Sequence, residues 1–325
     1  MKKYQHRLKE REKNMDSKCD KIRKSAGSFR MRHGKLMRFI TGYGFLLPFL
    51  VLFLLFIVIP VVWGIVISFT SYDLMTPMKW VGLKNYITLF TSDDLFLIAL
   101  KNTLTIALTA GPLGFMASFF FAWVIHQLHC RTLFAMAFYI PSIMSSLAVS
   151  VVWLSMFSSN RTGIVNNFLL KLGLINEAVS WTLDPKYIMP LIILISVWMS
   201  MGTGFLTSLA GLSNINTDIY ESGKIDGIRN RFQELFLLTL PQMKPQLLFN
   251  GMMSVVNSLN VYDLVTQIAG AESPDNCALT LVGHMYDYGF IRFELGYASA
   301  ISVVVLLISA ILGYVVNKLF SEGAE

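Results

Sequence analysis

Asn257 and Asn260 stand three residues apart in an otherwise apolar run, with Tyr262 and Asp263 directly after them. Positions three apart on a helix share a face. Each carboxamide is both donor and acceptor, so the pair suits directed hydrogen bonds to a hydroxyl-bearing solute, or to a neighbouring helix in an apolar medium. An earlier apolar run carries Ser200 near Trp198 and Thr203, again hydroxyls near a flat ring. Asp263 is an ionisable group at the edge of its run, which fits either a proton or cation site or simple solvation. A third set differs in kind: "YESGKIDGIRNRFQELFLLTLPQMKP", Tyr220 to Pro245, is charged and glycine-punctuated between long apolar segments. Other chemistries find no motif. The chain has no G-x-x-x-x-G-K-[ST] phosphate loop and no H-E-x-x-H, so His126 and His129 read as interfacial residues. Cys19, Cys130 and Cys277 are too scattered for a disulfide or zinc framework.

The elements that must position these residues are membrane helices. With 54% hydrophobic residues among 325 and a mean hydropathy of +0.56, the chain is too apolar for a soluble domain of its length. Six long stretches free of Asp, Glu, Lys and Arg cover 39–72, 102–125 with a continuation to 130, 132–160, 187–217, 245–262 and 295–317. Each is near or above the roughly 20 residues that a spanning helix needs, which predicts an all-α integral membrane fold with six transmembrane helices. The fifth is short, and its helix must take in Asp263 or begin earlier. Pro48, Pro60, Pro112, Pro141 and Pro190 are expected to mark kinks or span ends.

Charge sets the expected orientation. Residues 1–38 hold 14 of the 27 Lys+Arg and 4 of the 20 Asp+Glu, so the net basicity belongs to this stretch. Both its basic part and the apolar run after it are too long for a secretory signal, which predicts an uncleaved cytoplasmic tail in contact with anionic lipid, with no nucleic acid as partner. With that tail inside, 20 of the 27 basic residues fall on inner segments, and both termini are expected in the cytoplasm. The expected division is a tail over 1–38, a transmembrane domain over 39–320 and a cytoplasmic end over 321–325. The outer loops after the first and third spans each hold room for one short amphipathic helix.

Within Tyr220–Pro245, Asn216 or Thr217 caps a short helix through Ile225, with Asp218 and Glu221 near its positive end. Asp226-Gly227 breaks it, and a second helix places Ile228, Phe232, Leu235, Phe236 and Thr239 along one side before Pro241 and Pro245 end it. The pattern is an elbow of two helices with a polar knuckle.

Glu221-Ser-Gly-x-x-Asp226-Gly227, followed by Phe232, Leu240-Pro241 and Pro245, resembles the EAA loop, E-A-A-x-x-D-G-A then F-x-x-I-x-L-P-x-x-x-P, of binding-protein-dependent ABC importer permeases. Ser222 and Gly223 stand in place of the two alanines, Ile228 in place of the third, and Asn216 where the family has a proline. "VGLKNYITLF", "KNTLTIAL", "IPSIMSSLAVSVVW", "TGIVNNFL", "VWMSMGTGFLTSLAGL" and "LGYASAISVVVLLI" each resemble segments, in the same order, of carbohydrate-uptake permeases of the maltose, glycerol-phosphate and multiple-sugar type.

The resemblance implies a type I importer permease fold with a cytoplasmic coupling helix, in the loop over 213–245, between spans four and five. It implies that Glu221, Asp226, Gly227 and Arg229 dock an ATP-binding cassette ATPase dimer, with Asp226 paired to Arg229 or to a partner's base. The remaining partners would be a second permease subunit and an extracytoplasmic solute-binding protein, in a bacterial plasma membrane. Asn257 and Asn260 lie where maltose-type permeases carry paired asparagines that contact sugar, and Ser200 lies near a family contact position. With Tyr262 they form the expected carbohydrate path. The chain itself is then not an enzyme and holds no cofactor, ATP being used by the partner ATPase. A permease for another solute such as glycerol phosphate, or a secondary transporter, is the alternative.

Overall fold

The computed structural model describes residues 44, 46–128, 131–270 and 273–321. The tail expected over 1–38, His129, Cys19, Cys130 and most of the C-terminal end lie outside the described residues. The chain divides into two compact units, 1–63 and 64–325. The boundary falls within one apolar helix, α1 (Leu46–Ile67), in which Phe49 stacks on Phe53 at 6.0 Å. A π-helical stretch, Leu54–Val58, precedes Pro60. Proline lacks an N–H and its ring crowds the carbonyl four residues back, and a widened turn absorbs both defects without ending the helix.

After α1 comes the one strand pairing among the described residues, a two-stranded antiparallel ribbon of β1 (Thr70–Ser71) and β2 (Lys79–Trp80), pairing Thr70 with Trp80. Asp73 turns it by accepting from the Met75 and Thr76 N–H groups at 3.2 and 2.7 Å. Helices α2 (Lys84–Thr91), α3 (Asp94–His126), α4 (Arg131–Ile143), α5 (Ser146–Met156), α6 (Ile164–Lys171) and α7 (Pro185–Ser213) come next. After them lie α8 (Thr217–Ile225), α9 (Arg231–Glu234, running on through a π stretch Leu235–Thr239 to Leu240–Gln242), α10 (Lys244–Leu259), α11 (Tyr262–Ala269), α12 (Leu281–Tyr286) and α13 (Leu295–Ser321). Among the described residues α1, α3, α7 and α13 are long and apolar enough to cross a membrane.

The 132–160 and 245–262 runs are each divided. In the first, the Ser145 side chain accepts from Ala148 N and caps α5 as a new helix, close behind Pro141. In the second, no proline or glycine stands at the break. The Asn260 amide turns back onto the Val256 carbonyl at 2.9 Å, and the Asn260 N–H reaches only the Asn257 carbonyl, so a side chain competes with the helix ladder and α11 restarts at Tyr262.

Helices α3 and α7 are the spine, packed along their lengths, with α10 against both and α4 against α7. Small residues permit the approach. Gly114 of α3 faces Ser200 of α7, and Gly202 of α7 faces Ser142 of α4, each with no space for a Cβ. Ile106, Ile188, Ile192 and Val265 fill one core cluster, and Ala122, Phe205, Met243 and Leu247 another. Asn250, buried, ties α10 to α7 through the Gly204 carbonyl at 3.1 Å and Ser208 Oγ at 2.8 Å.

Candidate functional site

Three of the four residues expected to line a path come together. Ser200, Asn257 and Asn260 line one cleft of about 320 Å³, with α3, α4, α5, α7, α10 and α11 all contributing to its wall. Tyr262 does not join them: the break at Asn260–Val261 carries it into a second cavity of about 550 Å³. Asp263 lines the first cleft. The Asn257 amide is exposed and makes no hydrogen bond among the described residues, whereas Asn250, one helix repeat earlier on α10, is fully engaged between helices. Ser200 is only partly available, because its hydroxyl donates to the Val197 carbonyl at 2.8 Å and abuts Gly114.

Hydroxyls that hydropathy passes over complete the wall. Ser142, Ser146, Ser196, Thr203, Ser254 and Ser258 all face the cleft. Ser196 Oγ is buried without a partner, an acceptor and donor held in reserve beside a polar cavity. Ser196 stands four residues before Ser200, the spacing that would have found it, though the same spacing in an apolar helix serves interhelical contact equally well. No Lys or Arg lines the cleft. Its chemistry is that of uncharged donors and acceptors with one carboxylate at the rim.

The four residues expected to dock an ATPase sit on one elbow. Asn216 caps α8 by accepting from Asp218 N at 3.1 Å. Gly227 adopts φ +93°, a conformation that β-carbon-bearing residues rarely take, and Glu221, Asp226, Gly227 and Arg229 are all exposed. Asp226 forms no ion pair with Arg229; it closes α8 as C-cap instead. The second helix begins at Arg231, capped by Asn230, and not at Ile228. The expected single apolar side is also corrected: Leu235 and Thr239 are buried, while Phe232 and Phe236 are exposed. The π stretch inserts a residue into the turn and rotates the positions after it. Gly223 lets Leu238 lie against α8, and Tyr220 hydroxyl meets Thr239 Oγ1 at 3.2 Å, so the two arms are packed as one piece.

A polar tripod at the other end of α3 was not legible in spacing. Asp93 caps α3 by accepting from Phe96 N, its Oδ2 lies 2.8 Å from His284 Nε2 on α12, and Tyr297 hydroxyl on α13 donates to the same oxygen at 2.7 Å. Burial pushes the Asp93 carboxyl up, but the hydrogen bonds from His284, Tyr297 and Phe96 outweigh it, and its pKa ends below the ordinary value.

No protein-family model matches the chain. It is 34% identical over 282 residues to the probable ABC transporter permease protein YesP of Bacillus subtilis, covering 86% of this chain and 90% of that one. It is 32% identical over 281 residues to the lactose transport system permease protein LacF of Rhizobium radiobacter, covering 85% and 92%. To the arabinooligosaccharides transport system permease protein AraP of Halalkalibacterium halodurans it is 31% identical over 287 residues, covering 88% of each. In fold it is similar to a chain of the crystal structure of a bacterial ABC transporter involved in the import of the acidic polysaccharide alginate, with a TM-score of 0.74, 23% identity and coverage of 90% of this chain and 100% of that one. Identity above 30% across most of both chains places this protein in the family of ABC transporter permeases, alongside permeases of sugar-transport systems.

Proposed function

We propose that the chain is one permease subunit of an ATP-driven importer and forms half of the translocation path for a carbohydrate, an oligosaccharide or glycoside. The observation that carries this reading is the cleft of Ser196, Ser200, Asn257 and Asn260, which offers uncharged hydrogen-bonding groups, one amide unengaged, between packed helices. Hydroxyl-rich solutes need such directed donors and acceptors. The sugars for which LacF and AraP are named support the same substrate class. Glycerol phosphate or another anion is disfavoured, because the lining holds a carboxylate and no cation.

In this reading the chain spans a bacterial plasma membrane six times with both termini in the cytoplasm, the divided 132–160 and 245–262 runs each counting as one span. A second permease completes the path, a solute-binding protein delivers the sugar, and an ATPase dimer binds the elbow through Glu221, Asp226, Gly227 and Arg229. The chain is not an enzyme and holds no cofactor. ATP closes the ATPase dimer, the elbow moves with it, and the cleft opens to alternate sides. Coupling requires the sugar to bind the two states with different free energy.

The test is ATP-dependent uptake of a labelled carbohydrate panel into vesicles holding the complete transporter, wild type against Gly227→Pro. The expected result is uptake of a neutral sugar that disappears in the variant while both permeases are still made in the membrane. Uptake that persists without ATP or without the ATPase would instead indicate a secondary transporter.

A further inference from the structure

The second cavity, about 550 Å³, lies between α11, the 273–280 connection and α12. Tyr262 and Tyr286 both line it, their ring centroids 5.1 Å apart with 30° between planes, and Phe290, outside the lining, stacks on Tyr286 at 4.9 Å and 27°. Both Tyr286 and Phe290 are exposed. Beside them Asp287 Oδ2 meets Arg292 Nη2 at 2.7 Å, and the guanidinium lies 4.4 Å over the Tyr288 ring. The pair is half-exposed, so it retains lone pairs and N–H groups for a ligand while presenting no net charge.

The cavity is held in shape. Asn102 of α3 donates to the Asn276 and Leu279 carbonyls at 3.2 and 3.0 Å, and Thr103 Oγ1 accepts from Leu281 N at 2.9 Å. Two of the four non-glycine residues with positive φ among the described residues, Asp275 and Asn276, fall in the 273–280 connection, and Asn276 lines the cavity.

Helix α11 is the wall between the two cavities. Val261, Asp263 and Leu264 face the first, and Tyr262, Val265 and Thr266 face the second.

We infer that this second cavity is an outer carbohydrate subsite, in which a neutral sugar packs against Tyr262 and the exposed edge of Tyr286 and is hydrogen-bonded by the Asp287–Arg292 pair before it passes α11 into the first cleft. The inference rests on the carbohydrate-permease reading. Aromatic carbon beside a neutralised ion pair suits hydroxylated, uncharged rings, and a uronate would find Arg292 already paired with Asp287.

The complete transporter in vesicles is first screened for uptake of lactose, arabinotriose and diacetylchitobiose; uptake of none removes the carbohydrate reading and this one with it. The transported sugar, bearing a diazirine, is then photolysed on the same vesicles and the labelled peptides are identified. Labelling of residues 281–292 is expected, competed by the parent sugar and not by a triuronate. It should weaken about tenfold in Tyr286→Ala and Arg292→Gln and be retained in Tyr286→Phe. Labelling confined to the peptides around Ser200 and Asn257 overturns the subsite and leaves the permease reading intact. If Tyr286→Ala abolishes stimulation of the ATPase by the binding protein while labelling is unchanged, the cavity is a protein-docking surface and the subsite is likewise overturned.

Discussion

Two asparagines on one helix have different fates, and they can be separated experimentally. Asn250 is buried and satisfied by Gly204 and Ser208; Asn250→Ala should lower stability by about 1–3 kcal/mol, since it strands buried partners, read as a fall in melting temperature in detergent. Asn257 is exposed and unengaged; Asn257→Ala should change stability by less than about 0.5 kcal/mol while sugar uptake falls. A melting loss in Asn257→Ala equal to that of Asn250→Ala would make both helix contacts. Asp93 gives a pH signature. Its pKa in the folded chain lies below the ordinary value of 3.8, so its contribution to stability is fully present above that value and is lost as pH falls through the folded pKa. Melting temperature tracked downward from pH 6 should therefore drop more steeply below about pH 4 in wild type than in Asp93→Asn, which starts lower and has no carboxyl to protonate at that site. Residue types alone could not distinguish these roles. Asn250 and Asn257 look alike in sequence, and the tripod joins positions 93, 284 and 297 that no local spacing relates.

Charge-free length made α3, α7 and α13 legible, because a long apolar run has few other ways to satisfy its backbone. The divided runs were not legible from hydropathy, since the breaks are made by hydrogen bonds of Ser145 and Asn260. That is also why Tyr262 lines a different cavity from Asn257 and Asn260: counting across a helix assumes the helix continues. The elbow's first arm is readable from its cap and its glycine, but its second arm is not, because a π turn shifts the residue-to-face assignment. Two of the three π stretches among the described residues precede a proline at the same offset, Leu54 before Pro60 and Leu235 before Pro241; the third is Asp287–Ile291. Gly227→Ala should destabilise the elbow by about 1–2 kcal/mol, the penalty of a Cβ in the left-handed region, and loosen ATPase association in a pull-down of the complete complex, while leaving the cleft unaltered.

At the scale of the molecule, orientation is open to direct measurement. In a background with Cys19, Cys130 and Cys277 replaced by Ser, Ser222→Cys on the elbow should react with a membrane-impermeant thiol reagent only in inside-out vesicles, and Ser92→Cys, ahead of α3, only in intact cells. The reverse pattern would invert the whole assignment of inner and outer cavities. The joint at the start of α3 constrains how such a molecule can work. A single carboxylate, Asp93, fastens that end of α3 to α12 and α13, and Leu89, Phe96, Leu281 and Ile301 pack around it. These segments are therefore carried as one lever, and spin labels on the first turns of α3 and α13 should keep their separation through an ATP cycle. Bending is then to be sought elsewhere, and the joint at Asn260–Val261, where the ladder is already interrupted, is the place at which a second pair of spin labels should report it.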